Sequence, residues 1–385
     1  MKRAALLTLT LLLVGWLAWT ISTRLAPPSE TSTGIDLGEA LSDESGQFAE
    51  VVPGRLFTFP ADHGQHPEFK TEWWYFTGNL SDDDGFPYGY QLTFFRAGLA
   101  KPDGALSTSP WSPGDVMMAH FAISDVQRGQ FFPFERFARR ALGLSGVKSE
   151  KKSLSVWLED WRMERNAEGR WSLRASETLA DGAPLQLELE LTEQKPPVLQ
   201  GQNGYSRKGP KPEHSSYYVS LTRLSSQGTL TLGERVLPVR GLSWFDHEWS
   251  SSALAPGLVG WDWFSLQLDD GSDVMIYLLR HEDGRMEAAS SGALIAPDGG
   301  KTPLALDDFQ VEVGARHTSP RGIDYPSAWT LRFPGQSMVL RLAPRLPDQE
   351  MASGVAYWEG AVTIEGERAG QPVKGSGFVE MTGYK

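Results

Sequence analysis

The sequence predicts an all-β protein of two similar halves, tandem antiparallel barrels or sandwiches, behind an amino-terminal hydrophobic helix. Three observations carry this expectation. Short β-rich runs follow one another from position 72 to 366, most of them separated by tight turns such as Asp84-Gly85, Glu168-Gly169, Asp270-Gly271 and Asp283-Gly284. A hairpin pattern occurs twice. Helical periodicity is almost absent after the amino terminus, and only residues 131–144, with Arg139-Arg140, read as a short helix.

Taken in order, Lys2-Arg3 precedes an apolar run over 4–21 broken only by Thr and Gly, and Thr23-Arg24-Leu25-Ala26-Pro27-Pro28 ends it. Two outcomes fit residues 1–26. One is an uncleaved anchor, near the minimum length for a bilayer and carrying Trp16 and Trp19 toward its far end. The other is a cleaved export signal, against which Arg24 spoils a small-x-small site ending at Ala26. Either places the body outside the cytoplasm, in a bacterial context the periplasm. Residues 27–49, rich in Ser, Glu and Gly, read as a linker.

The expected strands are 72–80, 88–99, 117–126, 153–164, 170–175, 185–192, 216–224, 236–249, 261–268, 274–281, 309–315, 329–333, 338–342 and 358–366. Within them Trp74-Tyr75-Phe76, Asp83-Asp84-Gly85 and a strand ending at Arg96 recur as Trp261-Asp262-Trp263-Phe264, Asp269-Asp270-Gly271 and a strand ending at Arg280. The expected β domains are therefore 50–249 and 250–385, joined near Ser250-Ser251-Ser252 and Pro256-Gly257.

A formal charge of −12 and a pI near 5.2 argue against nucleic acid or an anionic membrane surface as a partner. The absence of Cys excludes disulfides, thiolate zinc sites and cysteine nucleophiles. No helical His-Glu-x-x-His, Gly-x-Ser-x-Gly, phosphate-cradling loop or dinucleotide fingerprint occurs, so neither metal nor cofactor is expected.

What remains is acids and a His threaded between aromatics: Glu72-Trp73-Trp74-Tyr75-Phe76, Trp244-Phe245-Asp246-His247-Glu248-Trp249 and Trp261-Asp262-Trp263-Phe264. Strand alternation puts Trp244, Asp246 and Glu248 on one face and Phe245, His247 and Trp249 on the other. It places Glu72 with Trp74 and Phe76, Asp262 with Phe264, Leu266 and Leu268, and His120 with Met118 and Ala122. A carboxyl under aromatic cover has a raised pKa and can donate a proton. The same acids can instead pair with Arg96 or Arg280, or accept hydrogen bonds from indoles. The loop 200–213 is placed to overhang a barrel mouth or to be an ordinary surface excursion.

These motifs, together with Ala119-His120-Phe121-Ala122, Gly204-Tyr205-Ser206-Arg207-Lys208-Gly209 before Tyr217-Tyr218, and Gly260-Trp261-Asp262-Trp263, resemble the AttH and carotenoid 1,2-hydratase family from about residue 50 onward. The resemblance implies two lipocalin-like (calycin) barrels and a cavity for an elongated apolar ligand, lined by Glu72, Trp73, Trp74, Tyr75, His120, Trp244, Trp249, Trp261, Trp263 and Tyr277. It also implies either plain binding of an isoprenoid, carotenoid or lipid-like molecule, hydro-lyase chemistry, or an accessory role beside an ABC-type transporter permease. For hydration, Asp246 or Asp262 is the expected acid and His247 the residue that positions water. In the hydratase branch an acid stands two residues after a Tyr, whereas here Leu278-Leu279 follows Tyr277.

Overall fold

Alternating apolar and polar positions build strands with two distinct faces, and the computed structural model arranges them as two antiparallel sheets. It describes residues 48–98, 115–139, 142–251, 254–352, 354 and 356–385; the hydrophobic segment 1–26 and all but the end of the linker 27–49 lie outside these. Among the described residues no helix is long and apolar enough to cross a membrane. The helical elements there are three short 3-10 turns.

The main path of the first sheet runs from the edge strand Gln130–Arg139 through Asp115–Asp125, Pro87–Gly98, Thr71–Asp82, Arg235–Ser250, Ser215–Leu232 and Pro184–Glu193, then on to Ser145–Ser149. It curls until Leu154–Leu158 packs against Pro87–Gly98, Asp115–Asp125 and Gln130–Arg139. Trp74, Phe76, Leu92, Phe94, Phe121, Trp161, Trp171 and Phe245 fill the interior. The second sheet places Leu258–Leu268 between Asp273–His281 and Gln371–Thr382, with Ala356–Arg368 beyond. Its interior holds Phe264, Leu266, Ile276, Trp329, Phe333, Trp358 and Val379.

The two sheets meet back to back. Residues of Thr71–Asp82, Ser215–Leu232 and Arg235–Ser250 that point away from the first core join a separate cluster with outward residues of the second sheet: Tyr75, Tyr218, Trp244, Trp263, Met275, Tyr277, Leu279, Ala361 and Phe378. Each large apolar side chain among them contributes about 1.5–3 kcal/mol by leaving water. The seam therefore gives several strands two buried faces, and Thr71–Asp82 is buried along nearly its whole length.

Three sequence expectations change. Residues 131–144 supply the strand Gln130–Arg139, not a helix. Pro133 opposes a helix interior, and a residue without an N–H is tolerated on the edge strand where it lies. The run 153–164 is two strands, Leu154–Leu158 and Trp161–Arg165, divided at Glu159 with φ 57°. The closing strand Gln371–Thr382 escapes the alternation pattern because Gly375 and Gly377 interrupt it; a Cβ on either would lie 2.3 Å from a carbonyl oxygen of Leu258–Leu268.

Candidate functional site

The duplicated hairpin sets the site. Tyr75 and Trp263 occupy corresponding positions of the repeat, point into the seam and touch edge to face, with centroids 5.3 Å apart at 87°. Trp73 and Trp261, also corresponding, stand beside them. Together with Phe95, Tyr218, Tyr277 and Leu279 they enclose a cavity of about 130 Å³. The loop 200–213 closes one side: Lys208 enters the cavity, and the Tyr277 hydroxyl donates to Arg207 O at 2.9 Å.

Three carboxyls line this cavity: Asp246, Glu248 and Glu380. Two hold register with the aromatic pair, Asp246 opposite Tyr75 and Glu380 opposite Trp263. Asp246 accepts from Tyr218 Oη at 2.6 Å, Ser220 Oγ at 2.5 Å and Trp244 Nε1 at 2.8 Å. Burial nevertheless pushes its pKa up to about 7, against those three donors. Glu380 has a hydrogen bond from Trp261, and burial, aided by the charges of Asp246 and Glu248, pushes it up to about 8. Lys208 Nζ lies 3.1 Å from Glu248 Oε1 and 4.1 Å over the Tyr277 ring. Burial works against its charge, but Glu248 holds its pKa above the ordinary value. Behind the cavity wall the Tyr75 hydroxyl donates to Glu359, whose carboxyl burial drives well above its usual range.

Of the sequence-predicted residues, the structure brings Asp246, Trp73, Tyr75, Trp261, Trp263 and Tyr277 to the cavity. Trp244 stands just behind, oriented by its bond to Asp246. His247, Glu72, Trp74 and Trp249 lie on the other face, within the first sheet, so His247 cannot position water beside Asp246. Asp262 lies inside the second sheet, where Arg280 Nε donates to it at 2.9 Å and Tyr384 Oη at 3.0 Å. Burial raises its pKa against those partners, yet it does not reach the cavity. His120 is buried at the seam but hydrogen-bonds Tyr357 and Glu135, away from Asp246. Among the cavity residues not expected from the sequence as site residues are Glu380, Lys208 and Tyr218, the last two having stood in the family motif without a role. Glu380 stands on the Gly-interrupted strand that carried no pattern.

The His247 cluster is a network in its own right. Glu72 Oε1 lies 2.8 Å from His66 Nδ1 and 3.0 Å from His247 Nε2, while Glu72 Oε2 accepts from Arg96 Nε at 3.1 Å. His66 stacks on Trp249 with centroids 3.7 Å apart. Burial penalises the Glu72 charge, but hydrogen bonds from His247 and His66 outweigh it and hold its pKa well below the usual carboxylate range. His66, Glu72 and His247 are the described residues with metal-ligand proximity. Both Glu72 oxygens are already taken, and a divalent ion there would sit against the Arg96 guanidinium, so the donor set does not fit one.

Fold and site define an all-β, two-sheet protein with an acid-bearing aromatic cavity where the sheets meet. The chain belongs to the AttH-like family, whose model matches residues 50–384. A solved AttH structure from Nitrosomonas europaea is 35% identical, covers 88% of this chain and 100% of its own, and superposes with a TM-score of 0.76. Kievitone hydratase of Fusarium solani subsp. phaseoli is 24% identical over 173 residues, 43% of this chain and 49% of that protein, so the match spans about half the length of this curated relative. The crystal structure of kievitone hydratase from Nectria haematococca, 14% identical, shares the fold across 89% of this chain and 95% of its own, with a TM-score of 0.59.

Proposed function

We propose that this protein binds the unsaturated apolar end of a small molecule in the seam cavity and adds water to it as a cofactor-independent hydro-lyase. The observation that carries the reading is a buried carboxyl and a half-buried one facing one aromatic cavity, with pKa values pushed up to about 7 at Asp246 and about 8 at Glu380. At neutral pH Glu380 is held mainly neutral and is the acid, while Asp246, with three donors to its carboxylate, ionises more readily and is the base.

Glu380 transfers its proton to an alkene carbon, forming the C–H bond. Positive charge develops on the neighbouring carbon, where a Trp or Tyr face contributes about 0.5 to 2 kcal/mol. Water forms the C–O bond and loses its proton to Asp246, which Tyr218 and Ser220 hold in place. A cavity of about 130 Å³ resembles the roughly 150 Å³ void that admits benzene, and so takes one ring or one isoprenyl end, not a whole elongated ligand. The hydratase name of one relative supports this chemistry; on the separate ground of the Lys2-Arg3 start and the apolar run that follows, we also propose that the protein is exported.

The test incubates purified protein with kievitone and with linear terpenoid alkenes and follows gain of one water by mass spectrometry. Hydration is expected for the wild type and lost in Glu380→Gln and Asp246→Asn, with Asp262→Asn active. Hydration undiminished in Glu380→Gln removes that acid from the mechanism. Tight binding without turnover leaves a carrier and overturns the enzymatic reading.

A further inference from the structure

The proposed reaction leaves Glu380 ionised and Asp246 protonated, so each turnover requires a proton to return to the acid and one to leave the base, the latter through the open side of the cavity. A second set of polar side chains leads away from that acid. Glu359 is directly opposite Glu380 on the neighbouring strand, which sets their Cβ atoms about 4.5–5.5 Å apart. Tyr357, two residues earlier on the same face, lies with its hydroxyl against the Glu359 carboxyl. That hydroxyl is 2.7 Å from His120 Nδ1 and accepts from Gln91 Nε2 at 2.7 Å. His120 Nε2 is 3.0 Å from Glu135 Oε2, and Glu135, on the edge strand Gln130–Arg139, has a side chain 15% exposed. Gly354 N donates to its other oxygen at 3.0 Å.

We propose that Glu135, His120, Tyr357 and Glu359 form a proton-conducting line from solvent to the seam cavity, ending at Glu380. Hydrogen bonds join Glu135, His120 and Tyr357, the steps to Glu359 and Glu380 rest on side-chain proximity and strand register, and the purpose of the line rests on the hydro-lyase reading.

Two proton arrangements satisfy it. In one, neutral Glu135 donates to His120 Nε2, Nδ1–H donates to the Tyr357 oxygen, and the Tyr357 hydroxyl donates to ionised Glu359. In the other, Glu359 carries the proton on Oε2 and donates to Tyr357, Tyr357 donates to His120 Nδ1, and Nε2–H donates to ionised Glu135. A concerted shift moves one proton from Glu135 to Glu359, reverses every donor and acceptor, and changes no partner. His120 ends neutral in both, and the Gln91 donor to Tyr357 serves both. Glu359 Oε2, the seat of the arriving proton, is buried and has no hydrogen-bond partner at rest; the Tyr357 hydroxyl lies beside that carboxyl and closes on it to pass the proton. The Tyr75 hydroxyl meanwhile fixes Glu359 Oε1. The proton then crosses from Glu359 to Glu380 on the adjacent strand. Tyr357, His120 and Glu135 touch no substrate, so they act through Glu380 as positioning residues.

The test needs no turnover. Protein equilibrated in H2O is mixed into D2O and the carbonyl stretch of protonated buried carboxyls is followed by time-resolved infrared spectroscopy, the Glu359 band being identified by its loss in Glu359→Gln. Tyr357→Phe, which removes one hydroxyl oxygen, and His120→Gln are each expected to slow exchange of that band by at least about tenfold, while Glu135→Gln slows it without touching the buried residues. Exchange at the wild-type rate in either Tyr357→Phe or His120→Gln overturns the proposal, and so does a wild-type protein without a Glu359 band. Should hydration fail for every alkene while exchange responds as stated, the hydro-lyase reading falls and the line stands. Where hydration is found, Tyr357→Phe is expected to lower steady-state turnover but spare the first, single-turnover proton transfer. An equal loss in both overturns the resetting role.

Discussion

Glu380 carries a measurable consequence for stability. In the unfolded chain its carboxyl ionises near 4.5, in the folded protein near 8. Below pH 4.5 it is protonated in both states and burial costs little. Between the two values the unfolded chain ionises and the folded protein does not, so stability falls as pH rises through that window and levels off above pH 8. At roughly 1.4 kcal/mol per pH unit the gap corresponds to a ceiling of about 5 kcal/mol. Because Glu380 faces the cavity and is only partly shielded by protein, about half of that, 2 to 3 kcal/mol, is expected. Glu380→Gln keeps the carbonyl that accepts from Trp261 and abolishes the ionisation. Urea unfolding of both proteins near pH 5 and near pH 9 measures the effect: the variant should match the wild type at the lower pH and exceed it by about 2 to 3 kcal/mol at the higher. A difference that stays flat with pH refutes the assignment of a neutral buried carboxyl to Glu380.

Glu72→Gln leaves Arg96 buried beside Asp115 with its first partner weakened and should cost about 3 to 5 kcal/mol by urea unfolding; a loss under about 1 kcal/mol would show that the cluster is not anchored by charge. Asp262→Asn should cost about 1 to 3 kcal/mol through Arg280 and Tyr384 without altering any hydration rate; a matching loss of turnover would move the acid into the second sheet. Ser220→Ala removes one of three donors to Asp246 and should raise its pKa further above 7, seen as an upward shift of the basic limb in the pH profile of ligand binding. Zinc or a chelator should leave Tm unchanged, because Arg96 already occupies the carboxylate a metal would need; a zinc-induced rise of several degrees would contradict that argument.

Strand parity was legible because it needs only local alternation. It separated Asp246 from His247, put Glu72 beside Trp74 and set Asp262 among Phe264 and Leu266, and each of these placements holds in three dimensions. What parity cannot say is which face meets which. Asp262 fits an inward acid by every local criterion, but the inward face of its strand is the second sheet's core, sealed by Arg280. The functional face is the outward one, and only the packing of one sheet on the other makes it a cavity. The parts Glu380 and Lys208 play were not legible for different reasons: two glycines erase the alternation around the first, and the second, though part of a motif, arrives on a loop whose course depends on Tyr277. The pairing of Glu72 with Arg96, like that of Asp262 with Arg280, could be read from the repeat, since each acid and each Arg sit near the same end of its hairpin.

The repeat also explains why chemistry belongs at the seam. Tyr75 and Trp263 are equivalent, and each is opposite an acid on the strand that pairs with its hairpin from outside: Asp246 for Tyr75, Glu380 for Trp263. One strand further on, Ser220 is opposite Asp246 and Glu359 is opposite Glu380. The two carboxyls thus hold equivalent places in a duplicated architecture and differ in their neighbours. Asp246 has a hydroxyl beside it that donates, and two further donors, so its ionised form is partly compensated. Glu380 has beside it another buried acid, itself held neutral, and a single indole donor. Unequal hydrogen bonding, and a second carboxyl beside Glu380 alone, drive the two pKa values apart in the direction an acid and a base require. Two copies of one hairpin, packed back to back, yield an aromatic cavity by symmetry; the departure from that symmetry at Ser220 and Glu359 gives its two carboxyls different work.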